Sequence, residues 1–272
     1  MKQTTHILHI PLLAALALCT AGLMAAEAQV KGLVVKNNGQ TVQAENIKWK
    51  AATKQYEITR GNSTLPLPLN QVQQIKVKPP KGLKEAIAKV KNGSHSGAHV
   101  ITLEKIVKEY QMLHHDMTAA QYLITCYLET GRAEEAKKVM RSVMTNRKQS
   151  QLSGGFVAVR LRVLLENEQF ATLEGELKGL IETGSRGAAA SAQLMRGEID
   201  RRKGDFRKAL VGGYLRTVVL FADIKAVQPE ALFKAAQCFE ELGETPNAEK
   251  MRQKLLAEYP GSEYSRKLQS GG

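Results

Sequence analysis

Four positions, Gly131, Glu168, Gly204 and Gly243, recur 37, 36 and 39 residues apart in this chain. Five residues after each come Ala136, Leu173, Ala209 and Ala248. Around them the apolar residues keep a spacing near 3.6, the period of a helix. A turn residue followed at fixed distance by a mostly small one marks a helix pair: the chain reverses, then the helices cross closely. A unit of this size cannot bury its apolar face alone and must stack on copies of itself. The repeat therefore commits most of the chain to helix-on-helix packing. Aromatic residues make up only 5% of the sequence, which agrees with that commitment.

About five pairs can be read. The first takes Leu83, Ile87 and Val90 as one face, stops at Asn92-Gly93-Ser94, and resumes from Ala98 to Leu113 with Leu103, Ile106, Val107 and Tyr110. The second is the clearest: Thr118 to Met140, with Tyr127, Gly131, Ala136 and Met140 at the contact places. The third runs from about Gly154 to Glu182. Glu168 and Leu173 replace the glycine and alanine there, so a looser crossing is expected. The fourth runs from about Ala188 to Ala222 and has Asp200 where the aromatic belongs. The fifth begins at Pro229, suited to a first helical position. It carries Phe239, Gly243, Ala248 and Leu255 and stops at Tyr259-Pro260-Gly261-Ser262.

Through these letters residues 118–268 resemble a tetratricopeptide-repeat protein. The ending LLAEYPGSEYSRKL resembles repeat units of bacterial cell-envelope proteins, such as the periplasmic cell-division coordinator of the Tol–Pal system and the repeat lipoprotein of the outer-membrane assembly machine. The resemblance implies an α-solenoid acting as an envelope scaffold that binds protein partners. In such a solenoid the first helix of each pair lines a concave groove. The places this implies are Gln121, Thr125, Arg162, Glu166, Leu194, Glu198, Arg201, Phe233 and Gln237. Arg162 and Arg201 would be able to clamp a carboxylate of an extended peptide.

Ahead of the helices, residues 29–78 have a period of two. KGLVVK, TVQAENIKWK, Gln55–Thr59, TLPLPL and Val72–Val77 read as five short strands, with Asn37-Asn38-Gly39 and Arg60-Gly61-Asn62-Ser63 as turns. Pro66 and Pro68 restrict TLPLPL to an edge or a connection. A small SH3-like or Sm-like barrel is the expected form. Pro79-Pro80-Lys81-Gly82 is a stiff boundary over 79–82, and the helical domain should occupy 83–268 with a frayed tail over 269–272.

The beginning reads as a signal peptide over 1–28: Lys2, an apolar stretch from Ile7 to Met24, and Ala26-Glu27-Ala28 as the cleavage site, cut after Ala28. The alternatives are a retained anchor and a lipoprotein through Cys19. Residues 29–272 keep a net charge of +13. Eight basic residues against Glu45 and Glu57 fall in 29–80. A basic surface attracts anionic lipid or an acidic envelope polymer as a second kind of partner; export makes nucleic acid the least expected one.

No convincing chemistry is visible. His95 and His99 are four apart, and His114 and His115 adjoin Asp116, but a metal needs three or four converging ligands. Gly93-Ser94-His95-Ser96-Gly97 has His where a hydrolase elbow needs Ser. Glu134-Glu135 and Glu240-Glu241 are neighbours on helices and do not face one another. Cys126 and Cys238 read as buried, unpaired thiols. The expectation is a non-enzymatic adaptor without metal or cofactor.

Overall fold

The computed structural model describes residues 29–148 and 151–270. The expected leader, Cys19 and the cleavage point lie outside the described residues, as do Gly271 and Gly272. Among the described residues no helix is long and apolar enough to cross a membrane.

The first part is a β region of six strands: β1 (Gly32–Lys36), β2 (Thr41–Ala44), β3 (Asn46–Lys50), β4 (Gln55–Arg60), β5 (Ser63–Pro68) and β6 (Val72–Val77). They form two antiparallel sheets ordered β2-β1-β6 and β3-β4-β5. The segment read as one strand over 41–50 bends at Glu45. Its halves β2 and β3 join different sheets, so the five expected strands become six along the same path, and the bend folds one sheet over the other. Period-two alternation then turns Val34, Ile47, Tyr56 and Ile58 inward, none more than 3% exposed. β5 pairs only with β4. Its two prolines thus sit on an edge, where a missing donor costs nothing.

Six residues later the helices begin: α1 (Leu83–Lys91) and α2 (Ala98–Glu109). The helix expected over 98–113 ends early. Met112 and His114 adopt φ of 61° and 80°, values that stop a helix. The turn between them drives Leu113, 0% exposed, into the core of the β region. Leu113 is in helical phase with the residues before it, but its apolar side chain finds cover between the two sheets, which do not close into the expected barrel by strand pairing. Tyr56 Oη donates to the Met112 carbonyl at 3.1 Å. Asp116, in the first turn of α3 (His115–Glu129), accepts the Met112 N–H at 2.8 Å. Arg147 Nη2 donates to both Asp116 oxygens at 2.8 Å. Both side chains are buried, so the turn is tied to the end of the next helix, α4 (Ala133–Met144).

The pairs follow as read. α3 with α4 is the second; α5 (Gly154–Glu166) with α6 (Phe170–Thr183) is the third. The fourth is α7 (Arg186–Arg202) with an outer helix in three consecutive pieces, α8 (Phe206–Lys208), a π-helical turn Ala209–Tyr214 and α9 (Leu215–Leu220). The fifth is α10 (Gln228–Glu241) with α11 (Thr245–Glu258). Gly131, Gly204 and Gly243 hold φ of 73–79°, and Glu168 holds 53°. All four markers make the same left-handed turn, which glycine enters freely and glutamate only against its Cβ. α5 sits on α6 more loosely than α3 on α4, as Leu173 in place of alanine requires.

The chain does not stop at Pro260. A further helix, α12 (Glu263–Gln269), is capped by the Ser262 hydroxyl and runs one residue past the expected limit of 268. Ser265, fully buried, donates to the Tyr259 carbonyl at 2.6 Å. Tyr264 and Leu268 pack on the cluster around Leu255 and close the last pair.

The fourth pair departs most from the pattern. Gly197 and Gly213 stand where the second pair has Ile124 and Met140. A Cβ on Gly213 would run into the Gly197 backbone, and one on Gly197 would lie 2.9 Å from the Tyr214 ring. The helices therefore touch backbone to backbone. Asp200 leaves the aromatic place empty on α7, and Tyr214 supplies the bulk from the facing helix, 0% exposed. The π-helical turn, which inserts a residue into the helix, accompanies this switch. The Gly212 carbonyl in it accepts a hydrogen bond from Gln193.

Candidate functional site

The first helices of successive pairs, α3, α5, α7 and α10, are cross-linked by ion pairs. Glu129 meets Arg162 at 2.7 Å, Glu166 meets Arg202 at 2.6 Å, and Glu198 meets Lys234 at 3.3 Å. Each bridge joins one pair to the next. The partners are 33 residues apart in the first bridge and 36 in the second. Together they form a polar ladder across the first helices.

Glu198 is its centre. Besides Lys234 it accepts from Arg201 at 2.6 Å, from Arg202 at 3.4 Å and from the Tyr214 hydroxyl at 2.8 Å. Burial by itself would raise its carboxyl. The hydrogen bond from Arg201, the charge of Lys234 and the Tyr214 hydroxyl outweigh it and hold the group down at about 2. The same hydrogen bond pushes Arg201 up, and burial pushes Tyr214 up. Glu198 is thus a fixed anion among fixed cations, with no proton to give at neutral pH. It is an organiser, unlike a general acid, whose pKa lies near the working pH.

Arg162, Glu166, Glu198 and Arg201 are brought together on the ladder. The two arginines do not stand open to clamp a foreign carboxylate: Arg162 already holds Glu129, and Arg201 holds Glu198. Gln121 is half-buried and lies where a side chain on Gly155 of α5 would go, so it fills the gap between pairs. Thr125 turns its hydroxyl to the Gln121 carbonyl at 3.1 Å. Leu194 packs into the cores beneath. Phe233 is covered by Tyr264, whose ring centre is 5.6 Å away. Gln237 is half-buried on α10. The uncounted helix α12 accounts for Phe233. Glu129, Arg202, Lys234 and Tyr214 belong with the site and lie outside the expected groove places. An acid followed one repeat later by a base was the signal that could have found three of them.

Elsewhere, His99 Nε2 lies 2.9 Å from the Ser94 carbonyl, and His115 Nε2 lies 3.3 Å from the Val77 carbonyl. The His114 and His115 rings meet edge to face at 5.5 Å. Burial lowers His115. Among the described residues no three His, Cys, Asp or Glu side chains converge on a metal position. Cys126 and Cys238 are free and buried, and burial pushes the Cys238 thiol up to about 11, away from the reactive thiolate.

Residues 230–262, spanning α10 and α11 with their turn, match the family model of the tetratricopeptide repeat. The fifth pair is thus a tetratricopeptide repeat, and the pairs before it repeat its turn geometry. The chain is similar to MamA in a crystal structure, at 16% identity and TM-score 0.43 over 63% of this chain and 92% of that one. It is also similar to a crystal structure of nearly identical TPR-like repeats from a Podosopora anserina putative kinesin light chain, at 15% identity and TM-score 0.49, over 65% and 92%. No curated protein matches the chain.

Proposed function

We propose that this protein is an exported, non-enzymatic scaffold of the bacterial envelope that displays the laddered face of its first helices to a protein partner. The observation that carries this reading is the row of bridges Glu129–Arg162, Glu166–Arg202 and Glu198–Lys234, which holds polar side chains in place across four helices, open to solvent at Glu129 and Arg162 and more covered toward Glu198 and Lys234. Rigid display over a long surface is what binding an extended partner needs, because little side-chain entropy is then lost on association. A partner would engage the ladder by exchanging ion pairs, so its own charges should alternate in sign.

A photocrosslinking amino acid at Thr125, Arg162 or Gln237 in living cells should trap one protein. The same residue at Lys137 or Lys250 on the second helices should trap none. Equal capture from both faces, or none from the first helices, would overturn the assignment. Protease accessibility of the intact cell fraction tests export separately.

A second reading rests on the charge of the β region. Its eight basic residues stand against only two acids, Glu45 and Glu57, and Glu57 is paired with Lys50 at 3.3 Å, so the region keeps a net charge of +6. Contact with anionic lipid or envelope polymer would then be screened as the Debye length falls below about 10 Å. Salt-insensitive sedimentation with anionic vesicles would reject it.

A further inference from the structure

The two sheets have four edge strands; β2 and β3 run into each other at the Glu45 bend, and the edges at the opposite ends of the sheets are unlike. β5 is one, and Pro66 and Pro68 strip it of two backbone donors. β6 is the other. It pairs with β1 alone and has no proline over Val72–Val77. An antiparallel edge strand turns the N–H and C=O of alternate residues away from its neighbour. The Val77 carbonyl faces His115 Nε2 at 3.3 Å, which marks the outward side. Ile75, two residues earlier, turns its backbone groups the same way.

That outward side opens on a cleft of about 520 Å³ between β6 and the turn that leads into α3, with Tyr56, Leu69 and Met112 among its apolar walls. Lys76, Arg147, His114 and His115 also line it, and no carboxylate does. Arg147 is neutralised by Asp116. Lys76 has no ion-pair partner among the described residues and is exposed. Along β6, Ile75 and Val77 are half-buried while Gln74 and Lys76 are exposed. A strand laid beside it would send alternate side chains toward the apolar walls and set the others beside Lys76.

We propose that β6 accepts an extended segment of a partner protein as an added strand, with apolar side chains in the cleft and a carboxylate side chain beside Lys76. The chemistry that would be recognised is an extended, proline-free stretch alternating β-branched and acidic residues. This site shares no residue with the ladder, so either can fail without the other.

The test uses the full chain and a short capped peptide of alternating valine and glutamate. Its controls are the same peptide N-methylated at its valines and a valine–lysine version. Titration followed by amide exchange should show protection of the Ile75 and Val77 N–H groups by the valine–glutamate peptide only. Lys76→Glu, at an exposed position, should keep the circular dichroism spectrum and weaken binding about tenfold. Absence of binding, binding indifferent to N-methylation, or affinity unchanged in Lys76→Glu would each overturn the proposal. So would a free chain that sediments as a dimer with those two amides already protected, because β6 would then pair with a second copy.

Discussion

The second and fourth helix pairs do the same work with different materials. In the second, large side chains fill the crossing: Ile124, Tyr127 and Met140 are buried around Ala136, and Tyr127 Oη donates to Glu104 at 2.5 Å. Its far end is pinned by the buried Asp116–Arg147 pair. In the fourth, glycine faces glycine, the aromatic comes from the opposite helix, and polar groups gather around Glu198. Side-chain packing tolerates adjustment, because rotamers can shift. Backbone contact does not, because there is nothing left to move. The second pair should therefore depend on its charged pin, and the fourth on the absence of two Cβ atoms.

The largest expected effect is at the pin. Asp116→Ala leaves Arg147 buried without its partner and should cost about 3–5 kcal/mol in urea unfolding. The double variant with Arg147→Ala should recover part of that loss. Equal losses in single and double variants would show that the pin is incidental. Next comes Gly213→Ala. Alanine normally favours a helix by up to about 1 kcal/mol. Here its Cβ meets the Gly197 backbone, so a loss of about 3 kcal/mol is expected. A gain in thermal stability would refute backbone contact in the fourth pair.

Acid should act on the same pair. Glu198 is held at about 2 against an ordinary value of 4.5, so the unfolded chain binds its proton first. The stability it confers is present above pH 4.5 and is lost as pH falls toward 2. The loss should be on the order of 2–3 kcal/mol. Glu198→Gln should flatten that part of the pH profile; an unchanged slope between pH 5 and 3 would dissolve the hub. The smallest effect serves as the control. A Cβ on Gly175 of α6 meets nothing within 4 Å. Gly175→Ala should therefore stabilise the third pair by about 0.5–1 kcal/mol, the opposite sign to Gly213→Ala.

What could be read in the sequence follows the same division. Gly131, Gly204 and Gly243 were legible because a left-handed turn names its residue. Ala136 and Ala248 were legible because close crossing demands a small side chain. The π-helical turn was not, although Gly212-Gly213 stood in plain view, because a glycine pair in a helix does not reveal what it faces. Leu113 was misread for a physical reason: its phase fits a helix, and the backbone of Met112 and His114 decided otherwise. At the candidate site the repeat resemblance implies first-helix places for Arg162, Glu166, Glu198 and Arg201, and the ion pairs join the first three to neighbouring helices and Arg201 to Glu198. The partners on those neighbouring helices could not be read, since their register had to be known first. Phe233 looked available only while α12 went uncounted.

The insertion of Leu113 also sets an order of events. All six strands precede it in the chain, yet the core they enclose is finished by a residue that follows α1 and α2. A polypeptide emerging from its N-terminal end passes a stage with every strand in hand and no stopper for the interior. The two sheets then lack the side chain that covers their shared interior until α1 and α2 have been made. Truncation after α1 should therefore leave a β region whose core amides exchange faster than in the full chain.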